Sequence, residues 1–285
     1  MTPIIARDTR NLASSMTVDE FLYHRRYMDL ATTTAANAVD PSPFLWAVFP
    51  IAAYFLGSFP TAHLIARTRG VDLGAVGSKN YGATNLGRTL GRPYGILCFI
   101  VDAAKGAVSV LVAGWMLGAL GAVAGSISTQ TAWCWLATAA ACMVGHTLSP
   151  WIGFKGGKGV ATGFGALAAM WPVLTLPAML ALFLWIVLVA IFRMISLASI
   201  VAALSIPCAV LVAALAANGL EGVRASVPFL LATFAIALFV VIKHRSNIAR
   251  IRAGTEAKVG QKPAAAPTGK AAHSPATSPT SPSAK

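Results

Sequence analysis

Six long apolar runs, at about 44–66, 94–123, 131–151, 160–192, 195–217 and 225–242, constrain this chain more than any other feature. A helix needs roughly 20 apolar residues to cross the ~30 Å hydrocarbon core of a bilayer. Lipid offers the backbone no hydrogen-bond partner, so each spanning segment has to satisfy its own N–H and C=O groups, as a helix does. Runs of this length, repeated this often, exclude a soluble domain. Only 11% of the residues are charged, against about 25% in soluble domains. The expected fold class is an all-α polytopic membrane protein of about seven transmembrane helices, with short helices or ordered loops on its cytoplasmic face.

The charges that remain are unbalanced, with 22 Lys and Arg against 9 Asp and Glu. In a soluble protein this would raise nucleic-acid binding. Here the basic residues lie between the runs and in the C-terminal tail, so they read as a topology signal and as partners for anionic ligands, and no nucleic-acid partner is expected. The 67–92 loop carries Arg67, Arg69, Lys79, Arg88 and Arg92 against Asp72, and the tail from Lys243 carries eight Lys and Arg against Glu256. The positive-inside rule puts both in the cytoplasm.

That assignment tests the span count. Leaving the cytoplasm near residue 94 and returning by 151 puts Lys155 and Lys158 inside. An even number of crossings must then lead to the cytoplasmic tail, yet three runs are visible. The run from 160 to 192 is too long for one ordinary span and holds Trp171-Pro172 near its middle. Read as two short crossings, it restores parity and gives seven helices with the N-terminus outside. The rival is six helices with a tilted or re-entrant segment.

Three divisions follow. Residues 1–42 form an N-terminal extension of mixed charge without an apolar core, and Met16 and Met28 are alternative starts within it. Residues 43–258 form the membrane domain. Residues 259–285, rich in Pro, Ala and Ser, read as a disordered tail with nothing to bury. Cys98, Cys134, Cys142 and Cys208 fall within apolar runs without a CxxC pair and read as small buried residues.

Three polar loops carry chemistry. The first holds Gly57-Ser58-Phe59-Pro60, then Ser78, Asn80, Gly82, Thr84 and Asn85, then Arg88 and Arg92. Glycine allows close backbone approach and arginine presents a fork to phosphate; a basic-anchored connecting loop is the plain alternative. The second runs from Gly145-His146 to Lys155-Gly156-Gly157-Lys158-Gly159 just before an apolar run. Free N–H groups, a helix dipole and ammonium charge suit an anion there. Its spacing is not that of a Walker A loop. The third includes His244, Asn247, Arg250 and Glu256; a bare stop-transfer anchor explains its charge but not Asn247 or Glu256. Asp102 and Lys105, inside the second run, either pair with each other or line the polar cavity.

Together the segments GSFP at 57–60, GSKNYGATNLGRTLG at 77–91, GHTLSPWIGFKGGKGVAT at 145–162 and HRSNIARIRAGTE at 244–256 strongly resemble the bacterial glycerol-3-phosphate acyltransferases that use acyl phosphate. The resemblance covers about Gly57 to Glu256. It implies a seven-helix inner-membrane enzyme that moves a fatty acyl group from acyl phosphate to the 1-hydroxyl of sn-glycerol 3-phosphate, giving lysophosphatidate and phosphate, with no cofactor or metal. Functional coupling to the enzyme that makes acyl phosphate is implied as well. Ser58, Asn80, Arg88, Lys155 and His244 are carried over as catalytic. Ser78, Gly82, Thr84, Asn85, Arg92, His146, Gly156, Gly157, Lys158, Asn247, Arg250 and Glu256 are carried over as substrate-binding. Two positions depart from the family pattern: Lys79 stands where a Gly is usual, and Gly74 where an Arg is common.

No GxSxG elbow is present, and acyl phosphate is already activated, so direct attack by the acceptor hydroxyl is expected rather than a covalent enzyme intermediate. The rival function is a transporter of phosphate-containing anions or lipids; a non-catalytic scaffold would not call for three specific polar loops.

Overall fold

In the computed structural model, residues 40–261 are described, and nearly all of the N-terminal extension and of the tail lies outside the described residues. Helix α1 spans Pro43–Ser58, opened by Pro43 and by Ser42, whose Oγ accepts from the Leu45 N–H. Pro60 has no N–H to continue the ladder, and a short α2, Thr61–Arg67, follows. Next come α3 (Ala83–Leu90) and α4 (Arg92–Met116). Helix α5, Thr129–Thr147, is capped by Ser128. A 3₁₀ turn at Pro150–Ile152 leads to α6 (Val160–Ala168), α7 (Thr175–Phe192), α8 (Ile195–Ala225), α9 (Val227–Lys243) and α10 (Arg245–Arg252).

The run from 160 to 192 divides, with Pro172 in the break between α6 and α7. Helix α6 has 9 residues, about 14 Å of rise, roughly half of a full span. Residues 218–224, between the apolar runs at 195–217 and 225–242, form a kinked continuation of α8, broken at Asn218 and Gly219. Among the described residues, four segments are long and apolar enough to cross a membrane: Pro43–Arg67, Arg92–Met116, Thr175–Phe192 and Ile195–Ala225. A fifth is reached if α9 and α10, bent by 59°, count together. The fold is thus an all-helical membrane protein, and length and composition alone stop short of seven spans.

Helix α5, long enough at 19 residues, falls outside that count because it is less apolar, as its central place in the bundle allows. It packs on α1, α4, α6 and α9, and residues such as Thr131, Trp135, Thr138 and Cys142 are buried along it. The Trp135 indole N–H donates to the Val110 carbonyl of α4 at 2.9 Å, which satisfies a polar group in the core. Helices α7, α8 and α9 form a second layer, joined to the first by α6, which packs on α4 and α7.

Close helix approach fixes these crossings. A Cβ at Gly57 would lie 2.0 Å from the Cys142 carbonyl oxygen, and one at Gly145 would lie 2.1 Å from the Tyr54 oxygen. Association in lipid depends on such small-residue contacts, since apolar burial against lipid drives little. Gly57→Val and Gly145→Val are each expected to destabilise the protein by ~3 kcal/mol; an unchanged melting temperature in detergent would contradict the α1–α5 contact.

Candidate functional site

The three polar loops and the start of α8 meet around one cavity. Asn85 organises the first loop. It is buried in α3, where its Oδ1 accepts from the Ser78 N–H at 2.9 Å and its Nδ2 donates to the Asn80 and Val76 carbonyls at 3.0 and 3.2 Å. Asn80 then donates to the Gly156 carbonyl at 3.1 Å and ties the first loop to the second. Lys79, between two cavity-lining residues, is exposed and holds a φ of 55°. The backbone here keeps the conformation that glycine adopts freely, with a lysine in its place.

The second loop is folded back on itself. Ser149 and Lys155 pair across it, and the Gly157 N–H donates to the His146 carbonyl at 3.2 Å. Gly157 sits against the His146 ring, with no room for a Cβ. This turn delivers Lys158 to the cavity just ahead of α6.

The third loop closes around Glu256. Its carboxylate accepts from Ser196 Oγ, Asn247 Nδ2 and Arg250 Nε, each at 2.7 Å. Asn247 Oδ1 accepts from Lys158 Nζ, linking the third loop to the second. Arg88 donates to the Ala257 carbonyl at 3.1 Å, linking it to the first. His244 Nδ1 lies 2.8 Å from the Val240 carbonyl. A carbonyl can only accept, so Nδ1 carries the proton and Nε2 keeps its lone pair.

Burial sets the electrostatics. Desolvation lowers Lys158 to about 8, against the pull of Glu256. Desolvation, with the Lys158 charge beside it, lowers His244 to about 4, so the imidazole is neutral near pH 7. Burial works to raise Glu256, but its hydrogen bonds from Ser196, Asn247 and Arg250 outweigh that and hold it below the ordinary carboxylate range. Asp102 fulfils both readings made for it: it pairs with Lys105 at 2.8 Å, accepts from Thr61 at 2.9 Å and also lines the cavity.

Two further cavities adjoin. A basic one shares Ser78, Asn80, Lys158 and Asn247 with the first, and adds Lys243, Arg245, Ser246 and Arg250. An apolar one lies among α6, α7, α8 and α9 and shares Phe99 and Val160 with the first.

Most of the residues singled out in the sequence come together. Ser78, Asn80, Gly82, Thr84, Asn85 and Arg88 line the main cavity from one side, and His146, Lys158, His244, Asn247 and Glu256 from the others. Arg250 lines the basic cavity, and Gly156 and Gly157 support its neighbours from behind. Ser58, Arg92 and Lys155 line neither polar cavity. Ser58 is fully buried, with its carbonyl accepting from Ser149 Oγ at 2.6 Å and its Oγ from Trp151 at 2.8 Å. Arg92 and Lys155 are exposed. Sequence reasoning missed Ser196 and Ser199, which line the cavity from α8; the signal was a pair of serines three apart where an apolar run begins.

Lys79→Gly is expected to stabilise the protein by about 0.5 kcal/mol, because it relieves a left-handed cost of roughly 1–2 kcal/mol and adds somewhat less in unfolded-chain entropy. A lower melting temperature would contradict this. Glu256→Ala leaves buried donors unpaired and is expected to cost ~2 kcal/mol. The folded Glu256 carboxyl titrates below the usual value of about 4.3, so its contribution is full above that pH and is lost as pH falls through the folded value. Melting curves of wild type and Glu256→Gln between about pH 6 and 3 should therefore converge on the acid side; a constant gap would refute the linkage.

The family described as glycerol-3-phosphate acyltransferase matches residues 47–254. Similar proteins named glycerol-3-phosphate acyltransferase include those of Trichlorobacter lovleyi, 44% identical over 72% of this chain and 93% of its own, and Geobacter sulfurreducens, 43% identical over 73% and 95%. The fold is similar to a crystal structure of PlsY (YgiH), an integral membrane glycerol 3-phosphate acyltransferase, in its glycerol 3-phosphate form. That match has a TM-score of 0.64 and 35% identity, and covers 75% of this chain and 96% of the other. A structure of PlsY in a lysophosphatidic acid form matches with a TM-score of 0.62 and 34% identity, over 75% and 95%. With its polar loops gathered on an all-helical membrane bundle and its matched region spanning most of the sequence, this chain belongs to the glycerol-3-phosphate acyltransferase family.

Proposed function

We propose that the protein transfers a fatty acyl group from acyl phosphate to the 1-hydroxyl of sn-glycerol 3-phosphate, releasing lysophosphatidate and inorganic phosphate. The observation that carries this reading is the junction of unlike cavities: a polar chamber bearing Lys158 and Arg88 shares Phe99 and Val160 with an apolar one. Acyl phosphate has that polarity, a charged head on a long apolar tail.

In this reading the donor head lies in the main cavity and its chain enters the apolar one. The acceptor phosphate lies in the basic cavity, facing Lys243, Arg245 and Arg250, and its free hydroxyl points through the shared wall of Ser78, Asn80, Lys158 and Asn247. The hydroxyl oxygen attacks the acyl carbon, the carbon–oxygen bond to phosphate breaks, and the hydroxyl proton passes to the departing phosphate. The enzyme binds both anions side by side and stabilises charge as it moves from hydroxyl to phosphate. His244 Nε2 accepts a hydrogen bond from the acceptor, and Asn80 holds the Gly156 turn in place. Ser58 acts through the 149–151 turn that it anchors, while Arg92 and Lys155 raise the positive potential at the mouth.

The loops and the C-terminus face the cytoplasm of a bacterium and the protein resides in its inner membrane, with seven crossings. The surplus of Lys and Arg in the loops supports that side, and functional coupling to the enzyme that makes acyl phosphate would follow from it.

Purified protein supplied with lipid, acyl phosphate and glycerol 3-phosphate should form lysophosphatidate without a sealed compartment. Failure with every donor length would sink the reading, and phosphate flux into vesicles without product would favour transport. Lys158→Ala is expected to lower kcat/KM by roughly 100-fold with membrane insertion intact. Because the folded Lys158 pKa is lowered, its charge is lost as pH rises through about 8. Turnover should fall there, and Lys158→Arg should move that decline upward; an alkaline limb identical in both would remove Lys158 from direct charge stabilisation.

A further inference from the structure

The apolar cavity runs from the polar boundary to the packed core between the helix layers. At its inner end the Phe99 and Phe164 rings stack 6.2 Å apart, and Trp185 of α7 donates to Ser199 of α8 at 3.1 Å, so the indole body faces the apolar side while its N–H is satisfied at the polar boundary. From that boundary α8 presents Ala202 and Ile206 to the cavity over about two turns, ~10 Å. One turn further out lies packed core. Met170 and Leu174 are fully buried, and Val210 nearly so, in the core cluster on which Ile206 and Ile236 also pack.

We infer that this cavity measures the donor's acyl chain, with Val210 and Met170 as its floor and Ala202 as the position whose small side chain keeps its middle open. The inference rests on the acyl-phosphate reading and adds to it the residues that set chain-length preference. Depth is limited because the floor belongs to the packed core that joins the two helix layers, and a chain longer than the cavity has to displace close-packed side chains. Each methylene that fits contributes ~0.8 kcal/mol of transfer, about fourfold in binding, so specificity should climb with length and then break off.

The experiment compares wild type, Ala202→Leu and Val210→Ala across saturated acyl phosphates from octanoyl to stearoyl, reading kcat/KM for each. The same proteins are titrated with unreactive alkyl phosphates of matching length, read by thermal shift. Ala202→Leu should lose at least 10-fold on the donor that wild type prefers while its octanoyl value stays within about threefold, moving the optimum to shorter chains. Val210→Ala, which removes bulk from the floor, should move the optimum to longer ones. Turnover with an unchanged optimum in both variants, or with losses equal at every length, overturns the ruler and leaves the donor assignment standing. A stepped alkyl-phosphate profile that shifts as described, without turnover on any acyl phosphate, upholds the ruler and overturns the donor assignment.

Discussion

The Glu256 carboxylate and the Lys158 ammonium, joined through Asn247, hold the polar end of this protein together. Either charge alone would be costly away from water, and the pair is made tolerable by three donors on two elements: Ser196 at the start of α8, and Asn247 and Arg250 on α10. Because those donors sit on separate elements, satisfying one carboxylate docks α10 under α8 and brings the Lys158 turn against both. Arg88 joins the same assembly through the Ala257 carbonyl. Three loops distant in sequence therefore share one wall.

That arrangement also explains how the bundle can be so uneven. The centre of the membrane domain is α5, a helix with threonines and a tryptophan whose polar groups are paired inside the protein. Lipid-like hydrophobicity is needed only where a helix meets lipid, so the central helix is free to be less apolar than its neighbours. The short α6 follows the same logic. It begins at the cavity wall, where its first turn meets the polar loops, and it packs on α4 through glycines that allow backbone contact.

The cavities express this asymmetry as chemistry. A basic chamber, a mixed chamber and an apolar chamber are joined by shared walls, so a charged head, a reacting centre and an aliphatic tail can be held at once. Transfer from an activated donor asks for little more than that alignment and for donors placed where charge develops. Two residues of the motifs hold loops in place: Asn85 clips the first loop to α3, and Ser58 pins the turn before Lys155.

The sequence by itself determined the class, the helical content and the identity of the three loops, because apolar length and glycine-rich basic segments are local properties. It also located the division of the long run at Pro172. It could not tell a side chain that faces the cavity from one that builds it. Ser58 carries a polar group beside the right motif, yet its hydroxyl is spent on the Phe55 carbonyl and the Trp151 indole, while Ser196 and Ser199 sit in an apolar run and line the cavity. The half-length of α6, the kinked extension of α8 and the joining of polar to apolar chambers came only from the tertiary structure. Those features depend on which helices lie against one another, and that is fixed by backbone approach at residues such as Gly57 and Gly145 and by the satisfaction of buried charge at Glu256, both of which act between segments far apart in the chain.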